Sequence, residues 1–138
     1  MKKTLLVILL CAVASGCKQE KKADDNPTQM ETVMMIHDEV MPKMGTLSKL
    51  VGELKAKVDT TAMGMKYEAS MKELQGANMA MMDWMRGFGD RFDSDEILNG
   101  KALSSEKQVW LNEEEKKVKA LKEQINSSIE KAEALLKE

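Results

Sequence analysis

One pattern constrains the fold of this chain more than any other: apolar side chains recur in alternating steps of three and four residues over most of its length. In the first such segment these positions are Met30, Val33, His37, Val40, Met44, Leu47, Val51, Leu54 and Val58. Such steps place all of them along one side of an α-helix, as in the seam of a coiled coil. We therefore expect a long helix over about residues 28–58, with Asn26 or Thr28 as its N-cap.

The same alternation predicts two further helices. The second covers about residues 62–90, after a break at residues 59–61, and its stripe is Tyr67, Met71, Leu74, Asn78, Met81, Met85, Phe88 and Phe92. The third covers about residues 105–137 and begins with a capping box formed by Ser105 and Gln108. Its stripe is Leu111, Val118, Leu121, Ile125, Ser128 or Ile129, Ala132, and Leu135 or Leu136. The charged residues 113–117 should then face the solvent.

These three segments suffice to suggest an architecture. Gly87, Gly89 and Gly100, with acidic residues at 93, 95 and 96, predict a loop between the second and third helices. Runs of β-branched residues are absent, so strands are not expected. Amphipathic helices of similar length must bury their stripes on one another. We expect an all-α domain over residues 28–138, an elongated, coiled-coil-like antiparallel three-helix bundle, with a coiled-coil dimer as the alternative.

The segment IHDEVMPKMG, residues 36–45, is the least regular part of the first helix. Pro42 removes one backbone donor and crowds the carbonyl of Asp38, so we expect a kink near Met41. Asn78, a polar residue on the second stripe, is typical of the single buried polar group that fixes helix register. Small residues should let another helix approach the first one closely; they are Gly45, Ser48, Gly52 and Ala56.

The N-terminus has a different character from the helical segments. Two lysines, a short apolar run and small residues before Cys17 are typical of a signal peptide over residues 1–16. The residues around Cys17 resemble the lipobox of bacterial lipoproteins, which implies that Cys17 carries acyl chains that anchor the mature chain in a membrane. An ordinary secretory signal is the alternative. Cys11 leaves with the signal, so no thiol remains for a disulfide or a metal.

Residues 17–27 form a charged segment that we interpret as the lipidated cysteine and a flexible tether. Lys18, in place of an aspartate after the lipidated cysteine, implies delivery to the outer membrane. The protein should therefore be anchored there by lipid, on the periplasmic or the cell-surface side.

The composition argues against several classes of function. Removal of Lys2 and Lys3 from the 21 basic residues leaves 19 against 23 acidic ones, and no basic patch indicates nucleic-acid binding. The chain has one histidine, no Gly-x-Ser-x-Gly turn and no glycine-rich phosphate loop. An enzyme is therefore not expected, and no cofactor is expected either. The acidic residues at 93, 95 and 96 lack the alternation of a calcium-binding EF-hand.

Binding of a soft metal is the alternative that the sequence leaves open. Among 13 methionines, Met41 and Met44 follow His37 by four and seven residues and share one side of the first helix. An antiparallel second helix could bring Met81 or Met85 close to His37. Imidazole and thioether ligands suit Cu(I) or Ag(I). Three neighbours of Met85 could complete such a site, namely Met81, Met82 and Trp84.

The simpler interpretation of the same residues is structural. Methionine fills irregular cores and forms adaptable binding surfaces, and most of these methionines lie on the predicted stripes. We therefore expect His37 to be a packed, hydrogen-bonded imidazole and the methionines to serve the core or a protein partner, with no metal bound.

Three segments carry a resemblance to a known family: IHDEVMPKMG, MMDWMRGF and ALKEQINSSIEKAEALL. The chain resembles a family of short Gram-negative envelope lipoproteins, some of which bear the name "viral A-type inclusion protein". The resemblance covers essentially the whole mature domain and implies a lipid-anchored helical bundle, but it implies no reaction. We expect a non-catalytic interaction or scaffolding module of the cell envelope, with self-association as one form of that interaction.

Overall fold

The computed structural model describes residues 26–138. The predicted signal peptide, the lipid attachment at Cys17 and the tether before residue 26 lie outside this range. The described part of the chain is helical, without strands, and its helices are α1 (Gln29–Val40), α2 (Lys43–Lys55), α3 (Ala62–Arg91), α4 (Ser94–Leu98) and α5 (Ser105–Leu135). None of these helices is long and apolar enough to cross a membrane. The prediction of an all-helical domain is confirmed for the described residues.

The four longer helices pack against one another, and α3 and α5 form the most extensive contact. Lys122 of α5 pairs with Glu39 of α1 at 2.7 Å, and this hydrogen bond holds the pKa of the Glu39 carboxyl below its ordinary value. Lys43 of α2 donates to Asn126 of α5 at 2.5 Å. From the first pair to the second, the residue numbers increase on both sides, from 39 to 43 and from 122 to 126. Helices α1 and α2 therefore run in the same direction as α5.

Helix α3 runs in the opposite direction. Arg91, at its end, pairs with Glu113 near the start of α5 at 2.9 Å, whereas Lys131, near the end of α5, pairs with Glu73 at 3.2 Å. The chain therefore ascends through α1 and α2, descends through α3 and ascends again through α5.

The helix expected over residues 28–58 is divided in two at Pro42, where a kink was predicted. Helix α1 ends at Val40, and the Met41 N–H still donates to the His37 carbonyl at 3.0 Å. Val40 and Leu47 are both fully buried, so the core continues through the break. The break has a consequence for packing: α1 lies mainly against α5, whereas α2 lies mainly against α3.

The helix starts follow the capping rules, but the N-cap of α5 lies one residue before the predicted one. Thr28 caps α1 in a capping box with Glu31, and hydrogen bonds from Thr28 lower the pKa of the Glu31 carboxyl. Thr61 caps α3 through the Gly64 N–H at 3.0 Å. The predicted capping box of Ser105 and Gln108 is wrong, because Ser104 is the cap and accepts from the Lys107 N–H at 3.2 Å.

The loop predicted between the second and third helices is largely helical. Gly87 and Gly89 lie within α3, and Asp93 caps the short helix α4 in a capping box with Glu96. Glu96 is buried rather than solvated, and its carboxylate lies 2.5 Å from the Lys107 ammonium. This hydrogen bond from Lys107 holds the pKa of the Glu96 carboxyl below its ordinary value.

The core side of α3 is rotated from the predicted stripe. The predicted and observed core sets share Leu74, Met81, Phe88 and, just after the helix, Phe92, but the remaining buried positions on this helix are Gly64, Ser70, Ala77 and Trp84. The predicted positions Tyr67, Met71, Asn78 and Met85 are only partly buried and flank the core. Asn78 therefore does not occupy the central buried polar position proposed for it.

One further expectation is wrong. Glu114 is only 2% exposed, although residues 113–117 were expected to face the solvent. The small residues on the first helical segment, Gly45, Ser48, Gly52 and Ala56, are all exposed, so the close approach of another helix to them stays a prediction. A Cβ atom built on Gly45 or Gly52 would meet no atom within 4 Å.

Candidate functional site

His37 lies in the last turn of α1, with 16% of its side chain exposed. Its Nδ1 lies 2.9 Å from the Asp38 carboxylate. Because a carboxylate can only accept, this contact places a hydrogen on Nδ1. A neutral imidazole in that tautomer has a free lone pair on Nε2. The imidazole is thus packed and hydrogen-bonded as predicted, while its second nitrogen points elsewhere.

The second nitrogen of His37 faces a sulfur atom. Nε2 lies 3.1 Å from Sδ of Met85, which belongs to α3. A thioether has lone pairs and no hydrogen to donate. In the Nδ1–H tautomer, two lone-pair donors from different helices therefore face each other without a proton between them. In the imidazolium form, Nε2–H would instead donate to the weakly accepting sulfur.

A cavity of about 190 Å³ lies beside this pair, lined also by Met34, Trp84, Phe88 and Ile97. The indole of Trp84 is 5.8 Å from the imidazole between ring centroids, and it begins a series of aromatic contacts with Phe88 at 5.0 Å and Phe92 beyond. The Trp84 indole N–H is buried and has no hydrogen-bond partner among the described residues. We call this region the His37 gap.

The gap follows from the break at Pro42. Because α1 lies mainly against α5, it is separated from α3, and long side chains such as those of His37 and Met85 span the space between them. The rotation of α3 adds to this effect, since Trp84 turns into the core while Met85 lies at its margin and reaches α1.

The structure unites only part of the predicted ligand set. His37 and Met85 are neighbours, as the antiparallel arrangement predicted. Met41 and Met44 pack against the core and are not among the residues that line the cavity. Met34 lines it instead; it precedes His37 by three residues and so shares its side of α1. That spacing was visible in the sequence, but the predicted ligands on the first helix were only methionines that follow His37.

The other predicted neighbours are placed differently. Met81 is fully buried in the core, and Met82 is exposed on the outer side of α3. Trp84 lies next to the imidazole. Within residues 26–138, no three His, Cys, Asp or Glu side chains are grouped so that they could hold a metal ion.

A second feature is an open groove between α3 and α5, with a volume of about 480 Å³. Three small residues belong to its lining, Ala80 and Gly87 from α3 and Ala120 from α5, beside larger and mostly polar ones, and Trp84 contributes to it as well as to the His37 gap. At one end, the buried Glu114 carboxylate lies 2.8 Å from both Arg91 and Lys117. We call this feature the α3–α5 groove.

The outer surface of α3 carries large apolar side chains. Met79 is 62% exposed and Met82 is 47% exposed. Met79 lies one turn before Asp83, which lines the α3–α5 groove, but Met79 is not itself a lining residue. Several other exposed apolar side chains are spread over the bundle, including Met35, Met65, Leu98 and Val109.

Comparisons with protein-family models, with curated proteins and with solved structures find no match to this chain. The resemblance to short envelope lipoproteins therefore stays a prediction, and the function must be argued from the geometry.

Proposed function

We propose that this chain is a lipid-anchored protein of the outer membrane without catalytic activity, whose bundle is an interaction or scaffolding module. In this proposal α1 and α2 together form the first rod of an elongated antiparallel three-helix bundle. Cys17 carries the lipid, and the charged tether lets the bundle reach a protein partner near the membrane.

The observation that carries this proposal is the α3–α5 groove. A helix can approach another closely only where the side chains between them are small, as Ala80, Gly87 and Ala120 are. A Cβ atom on Gly87 would meet nothing within 4 Å, so the groove has room beside this residue.

The chemistry of the groove defines the kind of partner. Its lining includes the apolar side chains of Trp84 and Leu121 beside polar ones, and exposed Met79 lies one turn from the lining residue Asp83. Methionine is common on adaptable helix-binding surfaces because its side chain is flexible and polarisable. The charges of Arg91 and Lys117 are engaged with Glu114. We therefore expect the partner to present an amphipathic helix with an apolar stripe.

Photo-crosslinking in intact cells tests this proposal. A photoreactive amino acid at Ala120, in the groove, is expected to give a discrete crosslinked product. The same substitution at Ala134, which is also exposed on α5 but does not line the groove, serves as the matched control. Equal crosslinking at both positions, or none at Ala120, would contradict the proposal.

The nature of the partner is decided by a second measurement. Sedimentation of the full lipidated chain in detergent, with and without Ala120→Arg, separates the two forms of interaction. A dimer that Ala120→Arg dissociates identifies a second copy as the partner, whereas a monomer that crosslinks in cells identifies a different envelope protein.

The lipid anchor has its own test. Globomycin, which blocks the lipoprotein signal peptidase, should cause the precursor to accumulate, and Cys17→Ser should abolish lipidation. Fractionation should place the wild-type chain with the outer membrane. Unchanged processing in the presence of globomycin would contradict the lipoprotein assignment.

A further inference from the structure

We propose that the His37 gap binds one soft monovalent cation, Cu(I) or Ag(I), through Nε2 of His37 and the thioethers of Met85 and Met34. This activity is separate from partner binding in the α3–α5 groove and does not depend on it.

The first argument is the distance between the two principal donors. Nε2 of His37 and Sδ of Met85 are 3.1 Å apart and come from different helices. Metal–imidazole bonds are about 2.0 Å long and metal–sulfur bonds about 2.3 Å, so both atoms can reach one ion. With those bond lengths a trigonal angle needs the donors about 3.7 Å apart. Rotation of the flexible Met85 side chain supplies the difference.

The second argument is the orientation of the imidazole. Histidines that bind metals usually donate their other ring N–H to a carboxylate or carbonyl, which fixes the tautomer. The contact of 2.9 Å between Nδ1 and Asp38 has this arrangement. It leaves the Nε2 lone pair directed at Met85 and available to a cation.

The third argument is the type of donor in the cavity. Met34 lies one turn before His37 on α1 and lines the same cavity as Met85. One imidazole and two thioethers are neutral, soft or borderline ligands, which favour Cu(I) and Ag(I) over cations that require oxygen. A single positive charge also costs less to bury among neutral ligands than a double one.

The fourth argument is the aromatic wall. Trp84 lies 5.8 Å from the imidazole, and a cation near an indole face is attracted by the ring's electrons. With Phe88, the indole forms an aromatic wall of the cavity. The arrangement can therefore hold a soft cation beside an aromatic surface.

The test is anaerobic titration of the full lipidated chain in detergent with Cu(I), in competition with a chromogenic Cu(I) chelator. One ion should bind per chain with a Kd below about 1 µM. His37→Ala, Met85→Leu and Met34→Leu should each weaken binding at least tenfold. Methionine and leucine have similar volumes, so the fold should persist, and circular dichroism of each variant checks this.

Matched methionine controls are available on α3 and α2. Met79→Leu and Met82→Leu remove exposed thioethers of α3, and Met44→Leu removes one that lies outside the cavity lining. Each should leave the affinity within twofold of the wild type, as should Ala120→Arg in the groove. Binding that is weaker than micromolar, that survives Met85→Leu or Met34→Leu unchanged, or that is lost in the control variants would overturn the proposal.

Discussion

The α3–α5 contact around Glu114 and the His37 gap both place polar groups inside the bundle, but they treat those groups differently. Glu114 is almost fully buried and has two cationic partners at 2.8 Å. In the His37 gap, Nε2 faces only a thioether and the Trp84 N–H has no partner among the described residues. A buried charge must be compensated to be tolerated. The ion pairs of the first region therefore stabilise the fold, whereas the second region retains donor atoms that can bind a ligand.

The largest expected effect on stability comes from removing one of the two cationic partners of Glu114. Arg91→Met leaves the Glu114 carboxylate buried with only the more exposed Lys117 as a cationic partner. We expect the free energy of unfolding to fall by about 2–3 kcal/mol, measured by urea denaturation. Arg86→Met is the control, because Arg86 pairs with Asp83 at the exposed surface, where such pairs contribute about 0–1 kcal/mol. Equal effects of the two variants would show that Glu114 is not a specifically compensated charge.

Two glycines differ in a comparable way, because one lies against neighbouring backbone atoms and the other lies in open space. A Cβ atom on Gly64 would lie 2.6 Å from the backbone N and O atoms of Asp59, so Gly64→Ala should destabilise the protein by about 2 kcal/mol. Gly52→Ala, in open space, should stabilise it by about 0.5–1 kcal/mol because alanine favours the helix. Thermal unfolding of the two variants checks this. A change in stability of the same sign for both would contradict the close packing of Gly64 against Asp59.

Low pH should remove the contribution to stability of a second carboxylate that has a cationic partner, that of Glu96. The hydrogen bond from Lys107 lowers the pKa of Glu96 in the folded state below 4.5. A carboxyl with a lowered folded pKa stabilises the protein above its unfolded pKa, and this contribution is lost as the pH falls through the folded value. The melting temperature of the wild type should therefore fall more between pH 5 and pH 3 than that of Glu96→Gln. A control with Glu133→Gln, at an exposed position of α5, should follow the wild type.

The smallest effect on stability is expected in the His37 gap. Replacement of His37 by leucine removes Nε2, which faces only a thioether, and the hydrogen bond of Nδ1 to the exposed Asp38 carboxylate, and it fills similar space with apolar atoms. The free energy of unfolding should change by less than about 1 kcal/mol in either direction. A loss as large as that of Arg91→Met, in the same denaturation assay, would mean that the imidazole is a structural group rather than an available ligand.

The helices could be predicted from the sequence because the alternation of three and four residues is a local property. The start of α3 after Thr61 and the cap of α1 at Thr28 could be predicted as well, because N-cap hydrogen bonds are also local. The burial of Glu114 was also accessible: the seven-residue step from Leu111 to Val118 leaves position 114 on the core side. Its charge suggested exposure, and only the positions of Arg91 and Lys117 explain how it is tolerated.

The remaining differences depend on tertiary packing. A proline predicts a kink, but the partner of each half of the divided helix depends on how α5 and α3 fill the space beside it. The rotation of α3 likewise decides that Trp84 rather than Met85 enters the core. The neighbourhood of His37 and Met85 was predictable from antiparallel pairing, whereas the place of Met34 depended on which side of α1 faces the cavity.

The most direct test of the central contrast is nitrogen NMR of the imidazole, since His37 is the only histidine in the chain and its signals need no assignment. In the ¹⁵N-labelled full-length protein, the neutral ring should be the Nδ1–H tautomer. One equivalent of Ag(I) should shift the Nε2 resonance strongly and leave the Nδ1 proton in place. An Nε2–H tautomer, or an Nε2 resonance that Ag(I) does not shift, would contradict the account.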